Sequence, residues 1–128
     1  MPCILIVDDS PAIRHGLRSL VEQQTDWKVC GEAENGRDGV DQAKRLHPDL
    51  ILLDQSMPVM TGLEAARELR RLMPRVPLLM FTMFKNPIFE REAHAAGVSV
   101  VKSKSEDVQS LLGSIQELLK SANLITAI

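Results

Sequence analysis

The sequence lacks the features that mark several specialised classes of protein. Its 17 acidic residues nearly balance its 15 basic ones, and the formal net charge is -2. A general attraction to nucleic acid or to an anionic membrane is therefore excluded, and we expect no direct nucleic-acid binding by this chain. No apolar run approaches a membrane span, and the amino terminus lacks the basic flank and long apolar region of a signal peptide. These absences predict a cytoplasmic protein without membrane contact.

Cysteine is also scarce. The chain contains two cysteines, Cys3 and Cys30, and both fall in segments that read as buried strands. We therefore expect two free thiols in the core rather than a disulfide. A chain of 128 residues buries an adequate core without cross-links. Since no linker, repeat or low-complexity segment interrupts it, we expect one domain over residues 1–122, followed by a short C-terminal tail at 123–128.

Short apolar runs alternate with helical patterns along the chain. The runs that predict strands are Cys3–Val7, Trp27–Ala33, Leu50–Leu53, Pro77–Thr82 and Val98–Ser103. The second run is the least apolar and is expected toward an edge of the sheet. Helix starts are indicated at Ser10 with Pro11, at Asn35 with Gly36, at Thr61 with Glu64 in capping-box spacing, at Asn86 with Pro87, and at Ser105. Five strands alternating with five helices predict an α/β fold with a doubly wound parallel sheet, right-handed crossovers and helices on both faces.

The third strand has the most informative ending. Four large aliphatic residues, Leu50–Leu53, predict a strand buried on both faces, and Asp54 follows them directly. Ligands of open α/β sheets bind beyond the carboxyl ends of the strands, so a reactive group is expected where Asp54 lies. The alternative is that Asp54 only caps a turn, as many aspartates after strands do.

Polar residues also follow the other strands of the sheet. Asp8 and Asp9 end the first strand, Thr82 ends the fourth, and Lys104 follows the fifth. Together with Asp54 they should meet at one edge, where a pair of carboxylates about 4 Å apart costs about 4 kcal/mol at an effective dielectric constant near 20. Mg²⁺ or Mn²⁺ is the compensating ion that such an oxygen-rich site prefers.

The chemistry that fits these groups is phosphoryl transfer onto a carboxylate. Asp54 would be the nucleophile, and Thr82 and Lys104 would hold phosphoryl oxygens. Taken singly, each residue has an ordinary explanation: the aspartates favour a helix start, the threonine suits a strand, and the lysine is solvated. Their expected convergence at one edge of the sheet favours function.

Several motifs in combination resemble the receiver domain of two-component response regulators, with the LuxR-type subfamily suggested by the second strand. They are Ile-Val-Asp8-Asp9-Ser, Asp54-x-x-Met57-Pro58-x-Met60-x-Gly62, Thr82 at the end of strand four, and Ala96-Gly97 ahead of a lysine. The resemblance runs from Cys3 to about Lys120. It implies a flavodoxin-like sheet in the order 2-1-3-4-5 with five helices.

The resemblance also implies a role for each site residue. Asp54 would accept the phosphoryl group, Asp9 and the Ser56 carbonyl would bind Mg²⁺ directly, and Asp8 would act largely through water. Thr82 would contact the phosphoryl group, as would the lysine.

The lysine of the motif is ambiguous, because Lys102 and Lys104 both lie near the right place. Spacing favours Lys104, since strand alternation leaves Lys102 pointing into a face of the sheet.

Four positions depart from the family pattern. Ser105 replaces a common proline, so no cis peptide is expected there. Met83 stands where a small residue is usual and would narrow phosphate access, while Phe84 would lie near the mouth of the acceptor site and screen it from water. Val101 replaces the switch aromatic of strand five.

The resemblance implies a histidine kinase or phosphotransfer protein as phosphate donor, and a homodimer through helix 4, strand 5 and helix 5 as one mode of assembly. The protein would catalyse its own phosphorylation and dephosphorylation rather than turn over a free substrate.

Two alternatives remain. One is a receiver-like interaction module without phosphate chemistry. The other is a hydrolase of the haloacid-dehalogenase type, which expects an aspartate where Ser56 stands.

Overall fold

The computed structural model describes residues 1–83 and 85–127, with side chains as far as residue 122. Phe84, for which a screening role was predicted, lies outside the described residues, as does Ile128. Strands and helices alternate as the sequence predicts, with these bounds: β1 Cys3–Val7, α1 Pro11–Gln24, β2 Lys28–Ala33, α2 Gly36–Leu46, β3 Leu50–Leu53, α3 Gly62–Leu72, β4 Leu78–Thr82, α4 Pro87–Ala95, β5 Val100–Ser103 and α5 Val108–Ala127.

The strands form one parallel sheet in the order β2-β1-β3-β4-β5. This confirms the predicted fold, including the edge position of β2. The register places Val7 beside Leu53, and Leu53 in turn beside Met80. The carboxyl ends of β1 and β3 are therefore level, and β4 extends two residues further, to Thr82. The residues that follow β1 and β3 emerge side by side, next to the end of β4.

The central strand is buried because both of its faces are covered. Leu50 and Leu52 pack into a core shared with helices α1 and α5, whereas Ile51 and Leu53 pack into a core shared with α2, α3 and α4. All four side chains are at most 1% exposed. A polar residue next along the chain can only be accommodated beyond the strand, which is where Asp54 lies.

The predicted caps of three helices are confirmed, and they define where the loops after the strands end. The Ser10 hydroxyl accepts a hydrogen bond from the Ile13 amide at 3.3 Å. Thr61 and Glu64 form the reciprocal capping box that starts α3. The Asn86 side chain accepts from the Phe89 amide at 2.9 Å at the start of α4.

The last helix begins later than the sequence predicts. Its first residue is Val108, whereas Ser105 was expected to cap it. The hydroxyl of Ser105 instead lies 2.7 Å from that of Ser103, because residues 103–106 form a turn closed by the Glu106 amide on the Ser103 carbonyl. At its other end the helix continues to Ala127, into the segment 123–128 that was predicted to be a tail.

In the described part of the chain, no helix is long and apolar enough to cross a membrane.

The expectation of two free thiols is wrong. Cys3 and Cys30 form a disulfide between β1 and β2, with their Cα atoms 5.5 Å apart. The pairing register shifts after Ile4, so that Ile4 pairs with Val29 and Leu5 with Gly31. Cys30 is therefore the extra residue of a β-bulge opposite β1. The apolar pattern of each strand gave no sign that these two positions, 27 residues apart, would be neighbours.

Candidate functional site

Asp54 lies in the crevice where β3 ends. Its amide donates to the Val7 carbonyl at 3.0 Å, which continues the ladder with β1, and its Oδ1 accepts from the Gln55 amide at 2.8 Å. The loop then folds back, and the Gly62 amide donates to the Gln55 carbonyl at 3.0 Å. A Cβ at Gly62 would overlap the Asp54 carbonyl oxygen, so this close approach requires glycine. The Asp54 side chain is 7% exposed, which leaves it a narrow opening to solvent.

Three carboxylates converge at this position, as the sequence predicts. Asp8, Asp9 and Asp54 each offer an oxygen, and these oxygens lie within 4.8 Å of one another. Asp8 and Asp54 are buried, whereas Asp9 is exposed. An all-oxygen set of this size suits Mg²⁺ or Mn²⁺, which retains several waters and binds through a few carboxylates. The exposed Asp9 gives such an ion a route from solvent, so the donors present fit the predicted metal.

Lys104 neutralises part of this negative charge. Its Nζ lies 2.8 Å from Asp8 Oδ2 and 3.2 Å from Asp54 Oδ2, and its side chain is 11% exposed. Lys102, the other candidate, instead pairs with Glu106 at 3.2 Å. The structure therefore brings Lys104 and not Lys102 to the carboxylates, in agreement with the spacing argument.

Burial and charge shift the pKa values of the two groups that meet here. Burial, and next the negative charge of Asp8, raise the pKa of the Asp54 carboxyl above its usual range, against the opposing effect of Lys104. Burial opposes the charged form of Lys104, but the hydrogen bond to Asp8 and the charge of Asp54 outweigh it and raise the pKa of the ammonium. Lys104 therefore stays protonated, and a divalent cation would favour the ionised form of Asp54.

The remaining predicted residues lie around this cluster. Thr82 is fully buried at the end of β4, and its carbonyl accepts from the Lys104 amide at 2.8 Å. Ser56 is exposed in the loop two residues after Asp54. Met83 is 68% exposed, so it extends outward from the strand end.

One contact at the site has no counterpart in the sequence analysis. Arg14 of α1 donates from Nη1 to the Asp8 carbonyl at 2.7 Å and from Nε to Glu32 Oε1 at 3.2 Å. Glu32 also accepts from Arg18 at 2.7 Å. The hydrogen bond from Arg18 is the largest of the effects that lower the pKa of the Glu32 carboxyl. The sequence offers no signal for this cluster, because it depends on α1 packing beside an edge strand.

Comparison with known proteins places the fold in a family. The family model of the response regulator receiver domain matches residues 4–116. The chain belongs to the response regulator receiver domain family. Its loops carry the acidic cluster and Lys104 at the edge where the family motifs were recognised in the sequence.

Similar proteins include longer regulators. The receiver domain is 37% identical over 106 residues to the transcriptional regulatory protein LnrK of Bacillus subtilis, which covers 81% of this chain and 48% of that protein. It is 46% identical over 78 residues to protein-glutamate methylesterase/protein-glutamine glutaminase 1 of Methanosarcina mazei, covering 61% of this chain and 22% of that protein. The chain thus spans half or less of the length of these two relatives.

Among solved structures, the receiver domain resembles a two-component response regulator of the LuxR family from Aurantimonas sp. SI85-9A1. The TM-score is 0.90 at 30% sequence identity, and the match covers 94% of this chain and 86% of that one. The similarity therefore extends over nearly the whole described fold.

Proposed function

We propose that this receiver domain is a phosphorylation-activated signalling switch that takes a phosphoryl group onto Asp54 in a Mg²⁺-dependent reaction. The observation that carries the proposal is the meeting of Asp8, Asp9 and Asp54 with the ammonium of Lys104 at one sheet edge. A purely structural aspartate needs no second and third carboxylate beside it, and their mutual repulsion makes the arrangement costly without a function.

The proposed donor is a phosphohistidine of a kinase or phosphotransfer protein, with small acyl phosphates as substitutes. A carboxylate oxygen of Asp54 attacks phosphorus in line, and the new P–O bond forms as the P–N bond breaks. The electron pair of that P–N bond stays on the imidazole nitrogen, and the ring leaves as neutral imidazole because its other nitrogen already carries a proton in the phosphohistidine. The product is a mixed anhydride, and attack by water on phosphorus regenerates the Asp54 carboxylate and inorganic phosphate.

The ion would be held by Asp9, Asp54 and the Ser56 carbonyl, with Asp8 acting through water. Bound Mg²⁺ would supply positive charge against the oxygens of both reacting groups. Lys104 already faces Asp54, so its ammonium is placed to contact a phosphoryl oxygen once the group is attached. The Thr82 hydroxyl would donate to another oxygen from the neighbouring strand end.

A group of charge about -1.5 to -2 on Asp54 would draw Thr82 and Lys104 toward it. Thr82 ends β4 and Lys104 directly follows β5. The loop after β4, helix α4 and the start of α5 would therefore shift with them. Helix α4 contributes one fully buried residue, Ala93, to the core, and is therefore the cheapest element to move. The surface of α4, β5 and α5 is accordingly the proposed output and dimer face.

The alternative, an interaction module without phosphate chemistry, is favoured by the burial of Asp54. Incubation with acetyl phosphate and Mg²⁺, followed by intact mass measurement, separates the two functions. The switch predicts the gain of one phosphoryl group that chelation with EDTA prevents. An unchanged mass, with magnesium present and the protein folded, would favour the passive module.

The change of surface has its own test. Amide exchange over residues 85–104 should differ between the free protein and the protein with Mg²⁺ and beryllofluoride, whereas exchange in α2 should stay the same. Equal amide exchange over residues 85–104 in both states would contradict the proposed output face.

We also propose that the protein is cytoplasmic. Its kinase partner, whether soluble or membrane-bound, would meet it on the cytoplasmic side of the membrane. LnrK is a transcriptional regulatory protein by name, and the Aurantimonas protein is a two-component response regulator of the LuxR family. A DNA-binding output joined to this receiver is proposed by analogy with such proteins.

A further inference from the structure

The Asp8 backbone is held from two sides. Its amide donates to the Ala33 carbonyl at the end of β2 at 3.0 Å. Its carbonyl accepts from Arg14 Nη1 at 2.7 Å. Asp8 itself is 2% exposed, and its contact with Arg14 is partly buried.

The carbonyl contact bears on Asp9 rather than on the side chain of Asp8. The carbonyl of Asp8 and the amide nitrogen and Cα of Asp9 belong to one planar peptide unit. A hydrogen bond that anchors the carbonyl therefore limits rotation of the whole unit. It also limits the position from which the exposed Asp9 carboxylate projects toward Asp8 and Asp54.

Arg14 is fixed in turn by the edge strand. Its side chain is 17% exposed, and Nε donates to Glu32 Oε1 at 3.2 Å, while Glu32 Oε2 accepts from Arg18 at 2.7 Å. Each Glu32 oxygen thus has its own guanidinium. The planar guanidinium of Arg14 spans a carboxylate and a carbonyl at once, which a lysine ammonium on a flexible stem does not reproduce.

We propose that Arg14, held by Glu32, is a positioning residue that sets the Asp8–Asp9 peptide for binding of the divalent cation. This inference rests on the proposed function, because the cation is the Mg²⁺ of that reaction. Arg14 is not proposed to contact the ion. It acts through the peptide that carries Asp9.

The direction in which Arg14→Gln changes the cation affinity distinguishes a positioning role from an effect of charge alone. Arg14→Gln removes a positive charge that repels the cation, so it should tighten cation binding if only Coulomb repulsion matters. The positioning role predicts the opposite, a weakening by about 10-fold, which is typical when a partner outside the metal ligands is lost. Mn²⁺ binding is measured by the loss of the free-ion electron paramagnetic resonance signal, and Mg²⁺ binding by competition.

Arg37→Gln is the control for the loss of an arginine charge. Arg37 lies in the first turn of α2 and pairs with Glu68 of α3 at 3.1 Å, so this ion pair lies outside the network of Arg14, Glu32 and the Asp8 carbonyl. We expect the Mg²⁺ affinity of Arg37→Gln to stay within about 3-fold of the unmodified protein, well short of the loss typical of a positioning partner. Thermal unfolding of both variants shows whether each is folded.

Arg14→Lys keeps the charge and decides the matter if Arg14→Gln does not fold. Charge alone predicts unchanged affinity, whereas positioning predicts weaker binding. Mg²⁺ binding by a folded Arg14→Gln or Arg14→Lys protein that equals or exceeds that of the unmodified chain would overturn the inference. Failure of the unmodified chain to bind Mn²⁺ or Mg²⁺ would instead count against the proposed function, so the two failures are distinguishable.

Discussion

The ammonium of Lys104 lies 3.2 Å from the carboxylate of Asp54, although the residues are 50 positions apart in the sequence. The same ammonium lies 2.8 Å from Asp8. One lysine thus bridges carboxylates that follow two neighbouring strands, β1 and β3. The buried negative charge is compensated before any cation binds, and a cation or phosphoryl group must share these oxygens with Lys104.

Removal of this lysine should leave two buried carboxylates without a counter-charge. We expect Lys104→Ala to lower the free energy of unfolding by about 3 kcal/mol without metal, and Mg²⁺ to restore part of that loss. Urea unfolding with Mg²⁺ and with EDTA measures both effects. Lys102→Ala, which breaks a more exposed pair with Glu106, should cost less than about 1 kcal/mol. Equal losses in the two variants would contradict the bridging role.

The raised pKa of Asp54 predicts a specific pH dependence of stability. Because the folded state holds the Asp54 proton more firmly than the unfolded state, this group lowers the stability of the metal-free protein as pH rises through its unfolded and folded pKa values. Asp54→Asn should therefore stabilise the metal-free protein at neutral pH and have little effect in acid. Chemical unfolding at several pH values checks this, and a neutral-pH destabilisation by Asp54→Asn would be inconsistent with the shift.

The lowered pKa of Glu106 predicts a pH dependence of stability opposite to that of Asp54. Hydrogen bonds from Lys85, Lys102 and the Ser103 amide lower the pKa of the Glu106 carboxyl to about 2. Its stabilising effect is therefore present above the unfolded pKa of 4.5 and is lost as pH falls toward about 2.

Glu106→Gln tests this directly. Since the group is a third exposed, the variant should lose no more than about 1 kcal/mol at pH 7. Near pH 2 its free energy of unfolding should match that of the unmodified protein, because the Glu106 carboxyl is then losing its charge. A difference that persists there would show that the carboxylate charge is not responsible.

The disulfide predicts a loss of stability on reduction. A cross-link that closes a segment of this length stabilises by about 3–4 kcal/mol in the chain-entropy description. Reduction, or Cys3→Ser with Cys30→Ser, should lower Tm by about 10 °C. The control is alkylation of any free thiol before reduction. Uptake of the alkylating reagent without reductant would show that the bond is absent.

The fold was largely predictable because local signals agreed with the global arrangement. Leu50–Leu53 followed by Asp54, and the caps at Ser10, Thr61 and Asn86, each indicated the element that forms there. The ends of parallel strands share one edge, so the convergence of Asp8, Asp9 and Asp54 followed from the strand pattern. Spacing and strand alternation favoured Lys104 over Lys102.

The features that escaped prediction depend on contacts between distant segments. The Cys3–Cys30 disulfide arises from a bulge that no apolar pattern encodes. The Arg14–Glu32 contact requires α1 to pack beside β2. The late start of α5 reflects competition, because Glu106 pairs with Lys85 and Lys102 and residues 103–106 form a turn instead of the first helical turn.

Direct identification of the phosphorylated residue tests whether Asp54 accepts the phosphoryl group. The protein is incubated with acetyl phosphate and Mg²⁺, the acyl phosphate is reduced with borohydride, and the peptides are sequenced by mass spectrometry. Reduction of a phosphorylated aspartate yields homoserine. Phosphorylation of Asp54 predicts homoserine at position 54 in a magnesium-dependent manner, and none in the EDTA control. Homoserine at another aspartate, or phosphorylation of equal extent without a divalent cation, would contradict it.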